Sequence, residues 1–297
     1  MPSSICCVIV TYRPPHELLL RQVEAIRSQV DRIFVIDNGD GSLLPDLSGQ
    51  PDLEVIQLGE NFGIAHAQNA GIRLARHTGA TDVLLLDQDS LPADDMIVRL
   101  LEGLADLQGA GIAVAAVGPQ YRDDRQGAVS PFVFRDGLAL RERPICTRQS
   151  AVVPADFLIA SGCLIPIAAL DAVGEMEETF FIDYVDIEWG LRAQNLGLAS
   201  FGIPAARMTH NLGDDWIVYR GRQLPVHSPL RQYYYARNSI LLARRSWIGW
   251  PWRLILAKRV VKQLLVYSIL LPGPNIKIFR MMMIGIWHGV IGRDGKR

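Results

Sequence analysis

The chain has 297 residues, a formal net charge of −1, and 49% hydrophobic and 21% charged residues. That length suits one large domain or two ordinary ones, and the composition excludes wholesale disorder and collagen-like, mucin-like or repeat architectures. The near-neutral total hides a split: from Arg244 onward eleven Lys or Arg stand against one acidic residue, Asp294, so a body of about −11 carries a tail of about +10 that suits an anionic partner.

Residues 5–10 form an apolar run typical of a buried strand. It stops at Thr11-Tyr12-Arg13-Pro14 and is too short, without a basic flank, for a signal peptide. Behind the Pro14-Pro15 start signal, Leu19, Val23, Ile26 and Val30 recur at helical spacing. Residues 32–37 and 53–58 read as strands, 64–76 as a helix, and 82–87 as a further apolar strand. A helix carrying Met96, Leu100 and Leu104 then precedes a strand at 112–117. Continuous apolar strands alternating with helices predict an α/β fold with a mostly parallel sheet covered on both faces. Residues 120–149, rich in Arg, Asp, Gly and Pro, predict irregular or strand-like cover over one edge. Residues 156–160 read as a strand running into Ser161-Gly162, and 180–189 lead into a helix ending near Gly197. Cys6, Cys7, Cys146 and Cys163 have no metal-binding spacing and read as buried thiols of a reducing, cytoplasmic compartment.

In such sheets ligands sit beyond the carboxyl ends of the strands. The clusters Thr11-Tyr12-Arg13, Asp37-Asn38-Gly39 and Asp87-Gln88-Asp89 fall there and together predict a binding crevice rather than turns alone. Two close carboxylates, Asp87 and Asp89, suit a hard divalent cation shared with phosphate oxygens. An isolated Asp-x-Asp also serves as a helix cap through Asp89 or Ser90; the neighbouring clusters favour the cation. Asp183, Asp186 and Glu188 crowd a helix start, where the dipole favours carboxylates in any case. Asp186, on one helical face with Asp183 and behind Phe180, Phe181 and Tyr184, suits a general base as well as a solvated first turn. Glu188 and Arg192, four apart, read as a surface pair. Dinucleotide and P-loop readings fare poorly: Gly39-Asp40-Gly41-Ser42-Leu43-Leu44 lacks a third glycine and follows the second strand, and no GxxxxGK[ST] stretch exists.

The assembled pattern resembles the family 2 glycosyltransferases with the GT-A fold, rhamnosyltransferase-like members among them, along most of the chain to about Ser239. The resemblance rests on Val10-Thr11-Tyr12-Arg13, Val35-Ile36-Asp37-Asn38, Glu60-Asn61-Phe62-Gly63 with Asn69 and Gly71, Leu86-Asp87-Gln88-Asp89-Ser90 and Ala160-Ser161-Gly162. It continues through residues 181–189 with Arg192, and Arg231-Gln232-Tyr233-Tyr234 with Arg237-Asn238. It implies a GT-A catalytic domain over residues 1–240, with a nucleotide-sugar half to about 120 and an acceptor half over about 150–240. Thr11, Tyr12, Arg13, Asp37, Asn38, Asn61, Gly63, Asn69 and Asp87 would contact the nucleotide sugar, with Tyr12 flanking the base and Asp37 accepting from its ring N–H. Asp87, Asp89 and His210 would hold Mg²⁺ or Mn²⁺, and Asp186 would be the base of an inverting displacement. Ser161, Gly162, Asp183, Glu188, Trp189, Arg231 and Arg237 would face acceptor or phosphate. Many members carry Glu-Asp at the base, whereas Val185 precedes Asp186 here, leaving Asp183 and Glu188 as fallback bases. The resemblance implies transfer of L-rhamnose from dTDP-rhamnose in cell-surface polysaccharide synthesis. Another donor such as UDP-galactose or UDP-GlcNAc, and a catalytically silent carbohydrate-binding or scaffolding protein, are the alternatives.

In the tail, residues 241–297, Trp247, Trp250 and Trp252 surround Pro251, and Lys258, Arg259 and Lys262 precede an apolar run at 263–271 that is too short to span a bilayer and ends at Pro272-Gly273-Pro274. A second apolar segment, 276–291, is interrupted by Lys277, Arg280, Gly285, His288 and Gly289. Aromatic residues and clustered cations beside short apolar helices read as a peripheral anchor on the inner face of the cytoplasmic membrane, with a lipid-linked saccharide as acceptor. A helical cap on the catalytic domain and a homodimer contact are the alternatives; the acidic body disfavours nucleic acid.

Overall fold

The computed structural model describes residues 3–41, 44, 47, 49–122, 129–142, 152–210, 215–219, 222–267 and 275–297. In chain order it has β1 (Ile5–Thr11), α1 (His16–Arg27), β2 (Arg32–Asp37), β3 (Leu53–Gln57), α2 (Ile64–His77), β4 (Asp82–Asp87), β5 (Ser90–Pro92), α3 (Met96–Gly109) and β6 (Val114–Arg122). There follow β7 (Val133–Asp136), β8 (Ala139–Glu142), β9 (Val153–Ala155), β10 (Cys163–Pro166), α4 (Ile167–Val173), α5 (Val185–Asn195) and β11 (Ala199–His210). The chain closes with β12 (Asp215–Tyr219), β13 (Arg222–Val226), α6 (Pro229–Ala243), α7 (Trp250–Leu265) and α8 (Asn275–Ile291).

The main sheet has nine strands in the order β3-β2-β1-β4-β10-β6-β11-β5, with β9 also on β11. β1, β2, β3, β4, β6 and β11 run one way, and β5, β9 and β10 run against them. Alternation along β1 sorts the core: Cys6, Val8 and Val10 face a layer with residues of α2, α4 and α5, while Ile5, Cys7 and Ile9 face α1 and α3. Gly71 on α2 meets β1 where any Cβ would lie 2.2 Å from Val8 Cγ1, so only glycine permits this helix-to-sheet distance.

The expected alternation of strands and helices over the first 120 residues is present, with the strand expected at 112–117 starting two residues later and running longer. The strand expected at 156–160 is absent. That apolar stretch is a loop from β9 to β10, because β10 enters antiparallel between β4 and β6 and the chain must reverse at Gly162, whose φ is +81°. Buried apolar runs do not by themselves distinguish strand from covered loop. Cys6, Cys7 and Cys163 are free and buried, as expected; Cys146 and Pro272-Gly273-Pro274 lie outside the described residues.

The tail does not hang free. α8 lies along α6, with Gly285 under Tyr233 and Gly289 against Ile240, and the backbone N–H of Arg297 donates to Tyr234 Oη at 2.8 Å. Among the described residues no helix is long and apolar enough to cross a membrane. A Cβ at Gly285 would stand 2.4 Å from the Tyr233 carbonyl oxygen, whereas one at Gly109, near the end of α3, would meet nothing within 4 Å. Gly285→Ala should therefore lower unfolding stability by about 1–3 kcal/mol and expose α8 to proteolysis, while Gly109→Ala should be neutral or stabilising by up to about 1 kcal/mol, as read by urea denaturation.

Candidate active site

Three strand ends meet at the carboxyl edge of the sheet: Thr11 pairs in register with Asp37, and Val10 with Asp87. They border a cleft of about 610 Å³, a volume in the usual range for small-molecule sites. On the β1–β2 side each polar group is fixed by another. Thr11 Oγ1 donates to Asp37 Oδ1 at 3.2 Å and the Gly41 N–H to Asp37 Oδ2 at 2.8 Å. Asn38 Nδ2 donates to Asn61 Oδ1 at 3.2 Å, while Asn38 Oδ1 accepts from the Phe62 N–H at 2.8 Å. Tyr12 stands 44% exposed at the cleft with Arg13 over its ring.

Asp87, Asp89 and His210 offer ligand atoms within 4.8 Å of one another. Antiparallel pairing of β11 with β5 sets His210 opposite Ser90 and so beside Asp89, with Nδ1 to Oδ1 at 3.3 Å. A chain of short hydrogen bonds runs beneath: His210 Nδ1 to Ser90 Oγ at 2.7 Å, Ser90 Oγ to Ser161 Oγ at 2.5 Å, and the Asp87 N–H to Ser161 Oγ at 3.0 Å. Two carboxylates and one imidazole fit a divalent cation, and protein around Asp87 pushes its pKa upward by desolvation, against the charges of His210 and Arg231, which act to lower it.

Across the cleft, Asp186 lies in the first turn of α5 with its side chain opening on the cleft but otherwise enclosed by protein. Burial raises its pKa to about 6; the Ile187 N–H, donating at 2.8 Å, acts to lower it, and the charges of Asp87 and Asp183 act to raise it further. The loop before α5 is strained: Phe181, Asp183 and Tyr184 all have φ between 62° and 69°. It is held from α6, where Asn238 Nδ2 donates to the carbonyls of Phe180, Ile182 and Asp183 at 2.7–3.0 Å, and Arg237 donates to those of Thr179, Phe180 and Gly295.

The geometry therefore gathers Thr11, Tyr12, Asn38, Asn61, Gly63, Asp87, Asp89, Asp183, Asp186, His210 and Arg231 around one cleft. It assigns other tasks to several residues expected there. Asn69 is buried, donating to Met176 O at 3.0 Å and Glu178 Oε1 at 2.8 Å. Gly63, although it lines the cleft, is also needed as glycine at φ +95° to admit the Phe181 carbonyl, where a Cβ would stand at 2.6 Å. Ser161 and Gly162 support the Asp87 strand end from beneath rather than facing an acceptor. Asp183 lies outside the helix and pairs with Arg231 at 3.2 Å, so it shares no helical face with Asp186. Glu188 is 2% exposed and ion-paired to Arg192 at 2.9 Å, a buried pair rather than a surface one, and Trp189 Nε1 donates to Gly174 O. Arg237 is fully buried on its carbonyls. Their apolar or helical surroundings, invisible in spacing, decide these roles.

Among the cleft residues that sequence reading did not assign to the site are Gln68, Tyr235 and Arg259. Tyr235 stands four after Arg231 on α6, a spacing that puts both on one face, whereas nothing local marks Arg259 of α7.

A nine-stranded α/β sheet whose strand ends carry an Asp-x-Asp–His cluster opposite a buried carboxylate is the arrangement of a GT-A glycosyltransferase. The family model described as "Glycosyl transferase family 2" matches residues 6–166, and the chain belongs to that family. It is 35% identical over 299 residues to the dTDP-rhamnosyl transferase RfbF of Shigella flexneri, covering 99% of this chain and 98% of the relative. It is 24% identical to the N-acetylglucosaminyl-diphospho-decaprenol L-rhamnosyltransferase of Mycobacterium tuberculosis (strain H37Rv), over 71% of this chain and 77% of that one. The fold also matches the crystal structure of GalNAc-T7 with UDP, GalNAc and Mn²⁺, at a TM-score of 0.60 and 12% identity, over 97% of this chain and 56% of that one.

Because Asp186 is the stronger acid-form binder when folded, its ionisation opposes folding, and the penalty develops as pH rises from 3.8 to about 6. Asp186→Asn should thus raise stability at pH 7 by about 2–3 kcal/mol in the metal-free protein, read by calorimetry.

Proposed function

We propose that the protein transfers L-rhamnose from dTDP-rhamnose, with inversion, to a lipid-linked saccharide in cell-surface polysaccharide synthesis. The observation that carries the chemistry is one cleft with an Asp87–Asp89–His210 cluster on one wall and a buried Asp186 of raised pKa on the other. The donor identity is supported by the near full-length similarity to RfbF, and the acceptor class by the name of the mycobacterial relative.

In this reading Tyr12 flanks the base and Asp37 accepts from its ring N–H. Asp87, Asp89 and His210 are the residues that would hold Mg²⁺ or Mn²⁺, and such an ion supplies charge neutralisation for a departing diphosphate; the imidazole nitrogen favours Mn²⁺ over oxygen-seeking Mg²⁺. Asp186 takes the proton of the acceptor hydroxyl as that oxygen bonds to the anomeric carbon. The bond from that carbon to the diphosphate oxygen breaks on the opposite face, and the nucleoside diphosphate leaves with the electron pair. Arg231, oriented by Asp183, stands close enough to Asp87 to attract the leaving phosphate.

Nucleotide release across dTDP-rhamnose, UDP-galactose and UDP-GlcNAc, with and without Mn²⁺ or Mg²⁺, tests this reading. Turnover of dTDP-rhamnose is expected, lowered about a hundredfold or more by chelation, by Asp89→Ala and by Asp186→Asn. Nucleotide-sugar binding without turnover, even with lipid-linked saccharides added, would instead support the carbohydrate-binding or scaffolding alternative.

The same reading places the protein peripherally on the inner face of the cytoplasmic membrane through α7 and α8. Trp250, Leu254, Ala257, Val261 and Leu265 form an exposed stripe at helical spacing on α7 beside Lys258 and Lys262; Ile276, Phe279, Met283, Trp287 and Val290 form another on α8 beside Lys277 and Arg280. Apolar stripes edged by cations suit an anionic bilayer surface. Replacing Leu254, Val261 and Leu265 by Gln should lower binding to phosphatidylglycerol vesicles about tenfold or more without changing donor hydrolysis in solution. A lipid-independent dimer lost in the same variant would assign the stripe to a second copy of the chain.

A further inference from the structure

The cleft contains a cation that the transfer chemistry leaves unused. Arg259 reaches it from α7, inside the tail. Its Nε donates to Tyr235 Oη at 3.2 Å, and its guanidinium lies 5.7 Å from the Tyr184 ring centre and 6.0 Å from that of Tyr235. Among the described residues it has no ion pair with a carboxylate. The arginines around it are all committed: Arg231 to Asp183, Arg245 to Glu177, Arg192 to Glu188, and Arg237 to backbone carbonyls. A largely enclosed guanidinium placed by two aromatic rings, with no hydrogen bond from its terminal nitrogens among the described residues, is a preorganised fork for phosphate oxygens.

Its position orders the cleft. Arg231 and His210 act electrostatically on Asp87, whereas Arg259 interacts with Asp186 and the two tyrosines. The donor diphosphate belongs with Asp87, Asp89 and Arg231, whereas Arg259 enters the cleft from α7 and acts on Asp186. An anion held there must come from the second substrate. The opposite face of α7 carries the exposed Trp250–Leu265 stripe, so one helix presents its cation to the cleft and its apolar side outward.

We propose that Arg259 binds a phosphate of the acceptor, a sugar diphosphate carried on a lipid, and thereby sets the acceptor hydroxyl over Asp186. This rests on the transferase reading above.

The test compares two acceptors in the same uncharged micelles with dTDP-rhamnose as donor: N-acetylglucosaminyl-diphospho-decaprenol, and decyl N-acetylglucosaminide, which lacks phosphate. Arg259→Gln is expected to raise KM for the diphosphate acceptor about tenfold or more, with little change in kcat. The loss on the phosphate-free acceptor should be at least about fivefold smaller, donor KM should change by no more than about twofold, and Arg259→Lys should recover part of the loss. Equal losses on both acceptors, a donor KM changed beyond that limit, or only a shift of the acid limb of the pH profile would overturn the proposal. So would competition by phosphatidylglycerol that disappears in Arg259→Gln, which would assign the site to a lipid headgroup. Donor hydrolysis by a wild type that uses neither acceptor overturns the proposal and leaves the transferase reading standing; absence of any donor turnover overturns both.

Discussion

The active-site half of this molecule depends on two side chains of α6, Arg237 and Asn238, both shut off from solvent. They donate to the carbonyls of Thr179, Phe180, Ile182 and Asp183, in a segment where three of four consecutive residues, Phe181, Asp183 and Tyr184, hold left-handed backbone. Each such residue costs about 1–3 kcal/mol, and without these donors the buried carbonyls would add their own desolvation penalty. The constraint delivers Asp186 into the first turn of α5, facing the sheet edge. It also turns Asp183 outward to Arg231, and its Phe181 carbonyl receives the Ile64 N–H that starts α2.

The opposing wall is built by different means. There the strands supply position and a buried hydroxyl chain supplies orientation: Asp87 through its own N–H to Ser161, Ser161 to Ser90, Ser90 to His210. Thus the Asp87–Asp89–His210 cluster, set at the end of β4, in the link to β5 and at the end of β11, is tied together from below by residues that never reach the cleft surface. Like charges face each other across the gap, and Asp87 and Asp183 each push Asp186 toward its protonated form. The same crowding, added to burial, holds the Asp186 carboxyl at a pKa of about 6.

The C-terminal helices belong to the same structure. α8 is fastened to α6 by glycine contacts and by Gly295 and Arg297, and α6 is the element that clamps the loop before α5. α7 contributes Arg259 to the cleft wall. A segment whose composition suggests an anchor is therefore also mechanical support for the site. Its exposed stripes lie on helices whose other faces are buried against the catalytic core.

Much of this was legible in the residues themselves. The apolar strands at 5–10, 32–37 and 82–87 and the polar residues at their ends determined a doubly covered sheet with a crevice at Thr11, Asp37 and Asp87, because strand and helix periodicities are local properties. The Asp-x-Asp pair and Asp186 were identifiable for the same reason, as short-range patterns in order along the chain. The grouping of His210 with Asp89 was implied by the family resemblance and has its geometry from the pairing of β11 with β5; only tertiary structure decided that Glu188 and Arg237 are buried supports, that residues 156–160 are a loop, and that Arg259 faces the cleft. Each of these depends on contacts between elements distant in sequence. Burial, which determines whether a charged side chain is a ligand or a brace, is set by what packs over it rather than by its neighbours in the chain.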